Sequence, residues 1–360
     1  MKIWEHAIQA GDLSARYRLG SGLLARAGTS LTRHGIGRCI VITDENVAAR
    51  HRPALEAGLG ELARGWIVVP PGEQQKSLDG ARALYDQLVR LGCDRRTAVI
   101  AFGGGVIGDL AGFAAATFLR GVPLLQLPTT LLAMVDSSIG GKVGVDLPQG
   151  KNLVGAFYAP LEILADVGTL ATLPRREWSG GMAEVIKHAV IASADFFEEL
   201  ERAGTDPAAW TPEELARRVH RAAGVKVGVV GRDPREQGER AHLNFGHTLG
   251  HALEAAGGYA GLSHGEAVAL GMLAALRLSR RQGRLEADFE ERLRSLLVRW
   301  NLPVRLPPLP WEAVAGALAR DKKNLGSKLT FVIPRALGRV EVERGLEVSE
   351  VEAIFRELSG

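Results

Sequence analysis

The stretch Ala98-Val99-Ile100-Ala101-Phe102-Gly103-Gly104-Gly105-Val106-Ile107-Gly108-Asp109 decides the fold class. Its first five residues form a short apolar run typical of a buried strand, and a helix is predicted to follow over residues 110–118. The glycines between them fit GxGxxG, a pattern that lets the backbone approach a pyrophosphate at the N-terminus of a helix. The stretch therefore predicts a strand–turn–helix unit that binds a dinucleotide.

Three further apolar runs have the length and composition of buried strands. They cover residues 39–43, 66–69 and 162–165, the last ending at Asp166. Helical segments separate them, and this alternation is typical of a parallel sheet covered by helices on both faces. The acidic residue that usually binds the ribose about 20 positions after the glycines is missing. We therefore expect an α/β domain over residues 1–174 that differs from the standard Rossmann fold.

The remaining residues, 175–360, show many helical patterns and few strand patterns, so we expect a helical domain with one possible hairpin over 328–343. A length of 360 residues agrees with two domains. The net charge of +3 is too small to indicate nucleic acid as a partner. The two cysteines form no CxxC motif, and no signal-peptide core or membrane segment is recognisable. We expect a cytoplasmic protein.

A first candidate for metal binding is the stretch over residues 243–254, which reads as a helix. It places His247 and His251 on one face, one turn apart, and a continuing helix would bring Arg240 to the same face. Two such imidazoles can bind a divalent metal, as in the HExxH helix. The alternative is that the histidines are hydrogen-bonded structural residues.

Two further segments add a possible metal ligand each. Glu184 follows two glycines in an otherwise apolar helix, where the alternative is a surface ion pair with Lys187. His264 lies at a helix start that is marked by a capping-box pattern. Together with His247 they form a His2Glu set, which is typical of a catalytic zinc site and could also hold iron or cobalt.

Polar side chains lie where predicted strands end, and the carboxyl ends of parallel strands share the edge of a sheet at which nucleotides bind. These side chains are Asp44, Asn46, Glu73 and Lys76. A glycine-rich segment further on contains two lysines and an asparagine, which are Lys142, Lys151 and Asn152. Such a segment can bring cations and amide donors close to an anionic ligand, although a flexible loop is the alternative.

Five segments are distinctive in combination, and they are Phe102–Asp109, Pro128–Thr130, Asp136–Lys142, Gly150–Asn152 and Leu243–Thr248. In these segments the chain resembles the 3-dehydroquinate synthase family, and the resemblance covers most of its length. It implies an α/β N-terminal NAD-binding domain with a largely parallel sheet and an all-α C-terminal metal-binding domain. It further implies an active site between the domains, and usually a homodimer. By this resemblance Glu184, His247 and His264 bind zinc or cobalt.

The resemblance also implies roles for individual residues. NAD would contact Asp44, Asn46, Glu73, Lys76, Gly104, Gly105, Val106, Asp109, Thr129, Thr130, Lys142, Lys151, Thr169, Leu170 and Thr172. Substrate would contact Arg120, Asp136, Lys142, Asn152, Lys187, Lys226, Arg240, Asn244 and Lys323, with Arg120 lent to the partner subunit. The catalytic residues would be Lys142, Lys187, Glu236, Arg240, Asn244 and His251, where His251 acts as an acid, base or relay with Glu236 as its possible partner.

The implied reaction is the conversion of 3-deoxy-D-arabino-heptulosonate 7-phosphate to 3-dehydroquinate and phosphate. It proceeds by transient oxidation with NAD, elimination of phosphate, reduction and intramolecular aldol cyclisation, and it belongs to the shikimate pathway of aromatic amino acid biosynthesis. Two alternatives stay open from the residues. One is another sugar phosphate cyclase, and the other is a metal-dependent polyol dehydrogenase of the glycerol type.

Overall fold

The computed structural model describes residues 2–11, 13–258, 261–285, 287–320 and 328–359. The strands are β1 (Trp4–Ala10), β2 (Leu13–Gly20), β3 (Cys39–Asp44), β4 (Ala63–Val69), β5 (Ala98–Gly103), β6 (Leu124–Pro128), β7 (Lys142–Leu147), β8 (Gly150–Phe157), β9 (Glu162–Asp166), β10 (Lys328–Ala336) and β11 (Arg339–Glu347). The helices are α1 (Ala27–Arg33), α2 (Glu45–Leu59), α3 (Leu78–Arg90), α4 (Gly105–Thr117), α5 (Arg175–Ala192), α6 (Ala194–Arg202), α7 (Pro212–Arg232), α8 (His247–Ala256), α9 (His264–Arg281), α10 (Ala287–Arg299), α11 (Trp311–Arg320) and α12 (Val348–Ser359).

The chain divides into two units. The N-terminal unit consists of Met1–Pro174 and Pro207–Pro234, and the C-terminal unit consists of Arg175–Asp206 and Arg235–Gly360. Residues 207–234, which the sequence analysis placed in the second domain, group with the first because α7 packs against β1 and β2. Sequence periodicity describes the face of a helix but not the strand that covers it, so this packing was not foreseeable.

The N-terminal unit is built on a seven-stranded sheet with the order β1-β2-β9-β6-β5-β3-β4. The β1–β2 pair is antiparallel, and the pairs from β2 onward are parallel. The predicted α/β fold with a largely parallel sheet is confirmed. The glycine-rich segment after residue 141, for which a flexible loop was the alternative, forms the antiparallel hairpin β7–β8.

Both faces of this sheet are buried, as continuous apolar strands predict. Ile40 and Ile42 of β3 belong to one core with side chains of α3 and α4. Val41, between them, belongs to a second core with side chains of α1 and α2. Because successive side chains of a strand point to opposite faces, the two cores lie on the two sides of the sheet.

The strand–turn–helix stretch forms as predicted, with a shift at the helix. The helix begins at Gly105 rather than at residue 110, and it ends at Thr117. Gly104, the residue that precedes it, is extended, so the turn after β5 consists of very few residues. The chain then passes through Leu119 and Arg120, both with positive φ, before β6 begins. Gly103 thus ends β5, Gly104 precedes the helix and Gly105 is its first residue, a boundary that sequence patterns locate poorly.

The C-terminal unit is organised around α9. This helix packs against α5, α8, α10, α12 and β10, and nearly all of its residues from 265 to 279 are buried. The predicted capping box at its start is present, formed by Ser263 and Glu266. Such a helix is apolar on all sides because other elements surround it. Among the described residues, no helix is long and apolar enough to cross a membrane.

The expectation of an all-α C-terminal domain needs a correction. Residues 328–347 form the antiparallel hairpin β10–β11, so the possible hairpin is confirmed and extends four residues beyond the expected end at Glu343. Leu329, Phe331 and Ile333 of β10 are buried, and the strand packs against α9. A helical layer that leaves an apolar face uncovered can be completed by a hairpin as well as by a helix.

A continuous helix over residues 243–254 was also wrong. Residues 239–244 form a 3-10 helix, Gly246 takes a left-handed conformation with a φ of 80°, and α8 begins at His247. Only Gly adopts that conformation at no steric cost, so it separates the two helices. Arg240 therefore does not share a helical face with His247.

Two stacked histidines connect β1 with α7 in the N-terminal unit. The rings of His6 and His220 are nearly parallel, with centroids 3.9 Å apart, and His6 Nε2 lies 3.1 Å from the carbonyl oxygen of His220. The ring of Trp4 covers the His220 ring at 4.9 Å. Burial, followed by the nearby His6 and Lys2, lowers the pKa of His220 from 6.5 to about 4, although a backbone hydrogen bond at Glu5 opposes the shift.

This shift predicts a pH dependence of stability. Between pH 6.5 and pH 4 the unfolded chain binds a proton at His220 that the folded chain does not, so the free energy of unfolding falls as the pH falls through this window. In His220→Gln this contribution is absent, and the urea midpoint should change less between pH 7 and pH 4.5 than in the unmodified protein. His242→Gln removes a partly exposed histidine outside the stack and serves as the control. Equal slopes for His220→Gln and the unmodified protein would contradict the interpretation.

Candidate active site

Most of the residues predicted to contact NAD gather at one edge of the N-terminal sheet. Apart from Lys142 and Lys151, which belong to the hairpin β7–β8, each of them lies at or after the carboxyl end of a parallel strand, where α/β proteins bind nucleotides. The strands and the residues at or after their carboxyl ends are β3 with Asp44 and Asn46, β4 with Glu73 and Lys76, β5 with Gly104, Gly105, Val106 and Asp109, β6 with Thr129 and Thr130, and β9 with Thr169, Leu170 and Thr172. The structure thus brings together segments that lie far apart in the sequence.

The glycines at the start of α4 leave no room for side chains. A Cβ on Gly104 would lie 2.9 Å from Cγ2 of Thr130, and a Cβ on Gly105 would lie 3.2 Å from Oγ of Ser137. Bare backbone at the N-terminus of a helix gives an anion access to N–H groups. This arrangement is the one expected for the predicted pyrophosphate contact.

Two ion pairs connect predicted cofactor residues. Lys76 Nζ lies 2.7 Å from Asp109 Oδ2, and Lys151 Nζ lies 3.7 Å from Glu73 Oε1. Burial raises the pKa of the Asp109 carboxyl above its usual value, although the charge of Lys76 opposes the shift. The side chain of Lys76 is almost completely buried, so this pair fixes the loop after β4 against α4.

Five of the predicted substrate residues belong to this unit, and four of them are described here. Lys226 Nζ in α7 lies 2.8 Å from both the carbonyl oxygen and Oδ1 of Asp136. Asp136 belongs to a π-helical turn over residues 133–137, a distortion that is frequent at functional sites. Asn152 has a positive φ of 55°, and its N–H donates to Asp146 Oδ1. Lys142 is exposed at the start of β7.

Asp166 and His51 support the predicted cofactor residues and were not themselves among the predictions. The Asp166 carboxylate accepts hydrogen bonds from the backbone N–H groups of Gly22, Leu24 and Gly168, at 2.9–3.0 Å. It thereby fixes the turn that carries Thr169, Leu170 and Thr172. His51 Nε2 in α2 lies 2.8 Å from Thr172 Oγ1. An acidic residue at a strand end was the available signal for Asp166.

In the C-terminal unit, the three residues of the predicted metal set come together. Glu184 Oε1 lies 3.7 Å from His247 Nε2 and 3.5 Å from His264 Nε2. Three ligand atoms held about 2.1 Å from one ion at tetrahedral angles lie roughly 3.4 Å apart. The separations in the structure therefore fit one divalent ion of the size of zinc or cobalt.

The other nitrogen of each imidazole has a partner that orients the ring. His247 Nδ1 lies 3.1 Å from the carbonyl oxygen of Phe245, and His264 Nδ1 lies 3.2 Å from Glu254 Oε2. Such partners fix the tautomer in which Nε2 is free to bind a metal. Glu254 was not among the predicted residues, although its position three residues after His251 on a helix was a usable signal.

The charges around Glu184 also favour a cation. Glu184 is fully buried, and its second oxygen forms an ion pair with Lys187, which is 1% exposed. Burial, followed by the charge of Lys187, lowers the pKa of His247 well below its usual value, so the ring is neutral. Burial also lowers the pKa of His264, but hydrogen bonds to Glu184 and Glu254 outweigh it and raise the value to about 10. The His264 imidazole thus lies between the carboxylates of Glu184 and Glu254. Either a proton or a metal ion on the ring can supply the positive charge that these carboxylates favour.

The remaining predicted residues of this unit lie on nearby elements. Arg240 is buried in the 3-10 helix over residues 239–244, and Asn244 Nδ2 donates to Glu236 Oε1 at 2.8 Å. The His251 ring is 5.1 Å from the His247 ring. Lys323 lies outside the described residues.

Two backbone contacts allow the three metal-set helices to approach. A Cβ on Gly265 in α9 would lie 2.4 Å from Cα of Gly180 in α5, and a Cβ on Gly271 would lie 1.8 Å from the carbonyl oxygen of Gly246. Side chains at these positions would push the helices apart. Each contact lies within a few residues of a member of the set.

Comparisons with known proteins agree with this geometry. The family model described as 3-dehydroquinate synthase N-terminal matches residues 66–180, and the one described as 3-dehydroquinate synthase C-terminal matches residues 181–324. The chain belongs to the 3-dehydroquinate synthase family. A curated 3-dehydroquinate synthase of Symbiobacterium thermophilum is 50% identical over 330 residues, which are 90% of this chain and 92% of that protein.

Two solved structures of sugar phosphate cyclases have the same fold. A 2-deoxy-scyllo-inosose synthase in complex with carbaglucose-6-phosphate, NAD+ and Co2+ has a TM-score of 0.89 at 27% identity, covering 98% of this chain and all of the other. The 2-epi-5-epi-valiolone synthase ValA of Streptomyces hygroscopicus, with NAD+ and Zn2+ bound, has a TM-score of 0.88 at 27% identity, covering 97% of each chain. The predicted dehydroquinate synthase-like fold, with a mostly parallel sheet and a helical C-terminal region, is thereby confirmed.

The network around Asp166 predicts a change in cofactor affinity. In Asp166→Asn the carboxamide has one acceptor oxygen for three N–H donors, and charge-assisted hydrogen bonds of about 1.5–3 kcal/mol each are lost or weakened. The dissociation constant for NAD, measured by isothermal titration calorimetry, should rise about tenfold or more. Asp86→Asn, an exposed position on α3, is the control. If both variants bind NAD equally well, Asp166 does not position the cofactor loop.

Proposed function

We propose that this chain converts 3-deoxy-D-arabino-heptulosonate 7-phosphate to 3-dehydroquinate and phosphate as a carbon–oxygen lyase. Family membership over residues 66–324 carries the proposal, and the positions of Glu184, His247 and His264 support it. The net reaction contains no redox change, since the substrate is oxidised and reduced in turn. An intramolecular aldol step closes the ring after phosphate has left.

The proposed cofactors are NAD and one divalent metal, zinc or cobalt. When bound, NAD accepts and returns a hydride, and the metal polarises hydroxyl and carbonyl oxygens of the substrate. Glu184, His247 and His264 would hold the metal and leave further positions for substrate. The backbone of Gly104 and Gly105 would hold the pyrophosphate. The cyclase structures that contain NAD+ with Co2+ or Zn2+ support this pair of cofactors.

Charged side chains of this chain would bind the anionic groups of the substrate. Lys142 is the exposed cation proposed for the phosphate, where it would compensate charge on the leaving group. Arg240 and Asn244 are proposed for the carboxylate, because a guanidinium and an amide offer parallel N–H donors. Lys187, which forms an ion pair with Glu184 of the metal set, is proposed to donate to the substrate. Asp136 holds the Lys226 ammonium in position.

Assembly and location complete the proposal. Arg120 is exposed, and it follows the exposed apolar residue Leu119 in a strained backbone turn. Such strain persists where the surroundings require it, which supports the proposed homodimer in which Arg120 reaches the partner's substrate. Cys39 and Cys93 are both free thiols, and this supports a cytoplasmic location.

A two-channel assay tests the proposed reaction. The protein is incubated with the heptulosonate phosphate, NAD and Zn2+ or Co2+. One phosphate should be released for each substrate molecule consumed, and NADH, followed by its absorbance, should not accumulate. Glucose 6-phosphate serves as the competing substrate, because the inosose synthase complex contains its carba analogue. Faster phosphate release from glucose 6-phosphate would indicate another cyclase, and NADH accumulation would indicate a dehydrogenase.

The role of Lys142 gives a separate prediction. In Lys142→Ala the phosphate loses a positioned cation, and kcat should fall about 100-fold or more while the dissociation constant for NAD changes little. Lys328→Ala removes another exposed lysine at the start of a strand and should keep full activity. Full activity of Lys142→Ala would refute the assignment of Lys142 to the phosphate.

A further inference from the structure

His251, Glu254 and His264 form a second group of metal-binding side chains beside the first. Their ligand atoms lie within 4.8 Å of one another. His264 is common to both groups, and its ring lies 6.0 Å from the His251 ring. Glu254 is buried, whereas His251 is exposed. The group is therefore open to ions from solvent on the side of His251.

The two nitrogens of His264 face the two groups separately. Nε2 lies 3.5 Å from Glu184 Oε1, and Nδ1 lies 3.2 Å from Glu254 Oε2. Both distances are close to the roughly 3.4 Å that separates two ligand atoms on one tetrahedral ion. His264 can thus bind an ion on either edge of its ring.

A neutral imidazole has one nitrogen that accepts and one that carries a proton. With the proton on Nδ1, the ring donates to Glu254, and Nε2 can bind an ion next to Glu184. With the proton on Nε2, the ring donates to Glu184, and Nδ1 can bind an ion next to Glu254. The tautomer of His264 therefore selects one group or the other.

We propose that His251, Glu254 and Nδ1 of His264 form a second divalent-cation site that is weaker than the first and mutually exclusive with it. Ligand atoms on one ion with bonds of about 2.1 Å lie at most roughly 4.2 Å apart. The ligand atoms of this group lie within 4.8 Å of one another, so any inward movement that the exposed His251 needs is small. Ordering an exposed side chain costs conformational entropy, which makes this site the weaker one. The claim of mutual exclusion rests on the proposed metal set. The second site itself depends only on His251, Glu254 and His264.

Zinc binding to four full-length proteins tests the proposal. After removal of metal by chelation, Zn2+ is titrated against a chromophoric competitor, and circular dichroism checks the fold of each protein. The unmodified protein should bind one ion tightly. His247→Ala should bind one ion more weakly, because the ion moves to the second group. His247→Ala/His251→Ala should lose at least about tenfold in affinity relative to His247→Ala, since even partners of metal ligands contribute that much.

The control is His247→Ala/His242→Ala, which removes a histidine outside both groups and should bind zinc like His247→Ala. The second site does not exist if adding His251→Ala to His247→Ala lowers the zinc affinity no more than adding His242→Ala does. It does not exist either if folded His247→Ala binds no zinc. Two ions in the unmodified protein would refute mutual exclusion. Undiminished affinity in His247→Ala would instead refute the first metal set, so the two failures can be told apart.

Discussion

The buried carboxylate of Glu184 is the constraint on which the C-terminal unit depends. An isolated carboxylate inside a protein is strongly destabilised, so it needs positive charge in direct contact. Lys187 supplies one contact, and the imidazoles of His247 and His264 face the other oxygen. Three helices therefore have to converge on one point, and their side chains form a pocket of donors that suits a cation. The same requirement produces the metal set and restricts the packing of α5, α8 and α9.

Backbone contact makes this convergence possible. Gly265 lies against Gly180, and Gly271 lies against Gly246, at distances that exclude any side chain. The N-terminal unit follows a different rule, in which loops after parallel strands meet at one edge of the sheet because the strands share a direction. There the carboxylate of Asp166 joins loops in the way that Glu184 joins helices. In both units an acidic side chain organises the surrounding backbone.

Much of this was predictable from the sequence because the signals are local. The apolar run and glycines over residues 98–109 predicted a strand, a turn and a helix, and motif resemblance predicted the family. The break at Gly246 was missed because a left-handed residue inside a helical pattern leaves no periodic signal. The packing of α7 with the first unit and the extent of the β10–β11 hairpin depend on long-range contacts. Glu254 was missed because its function is to orient His264 from another helix.

The central claim is that one ion is shared by Glu184, His247 and His264, and zinc X-ray absorption spectroscopy tests it most directly. With one equivalent of Zn2+, the account predicts two imidazole nitrogens and carboxylate oxygen at about 2.0–2.2 Å. The spectrum should change in His247→Ala and remain the same in His251→Ala. A spectrum that is insensitive to His247→Ala but altered by His251→Ala would contradict the account.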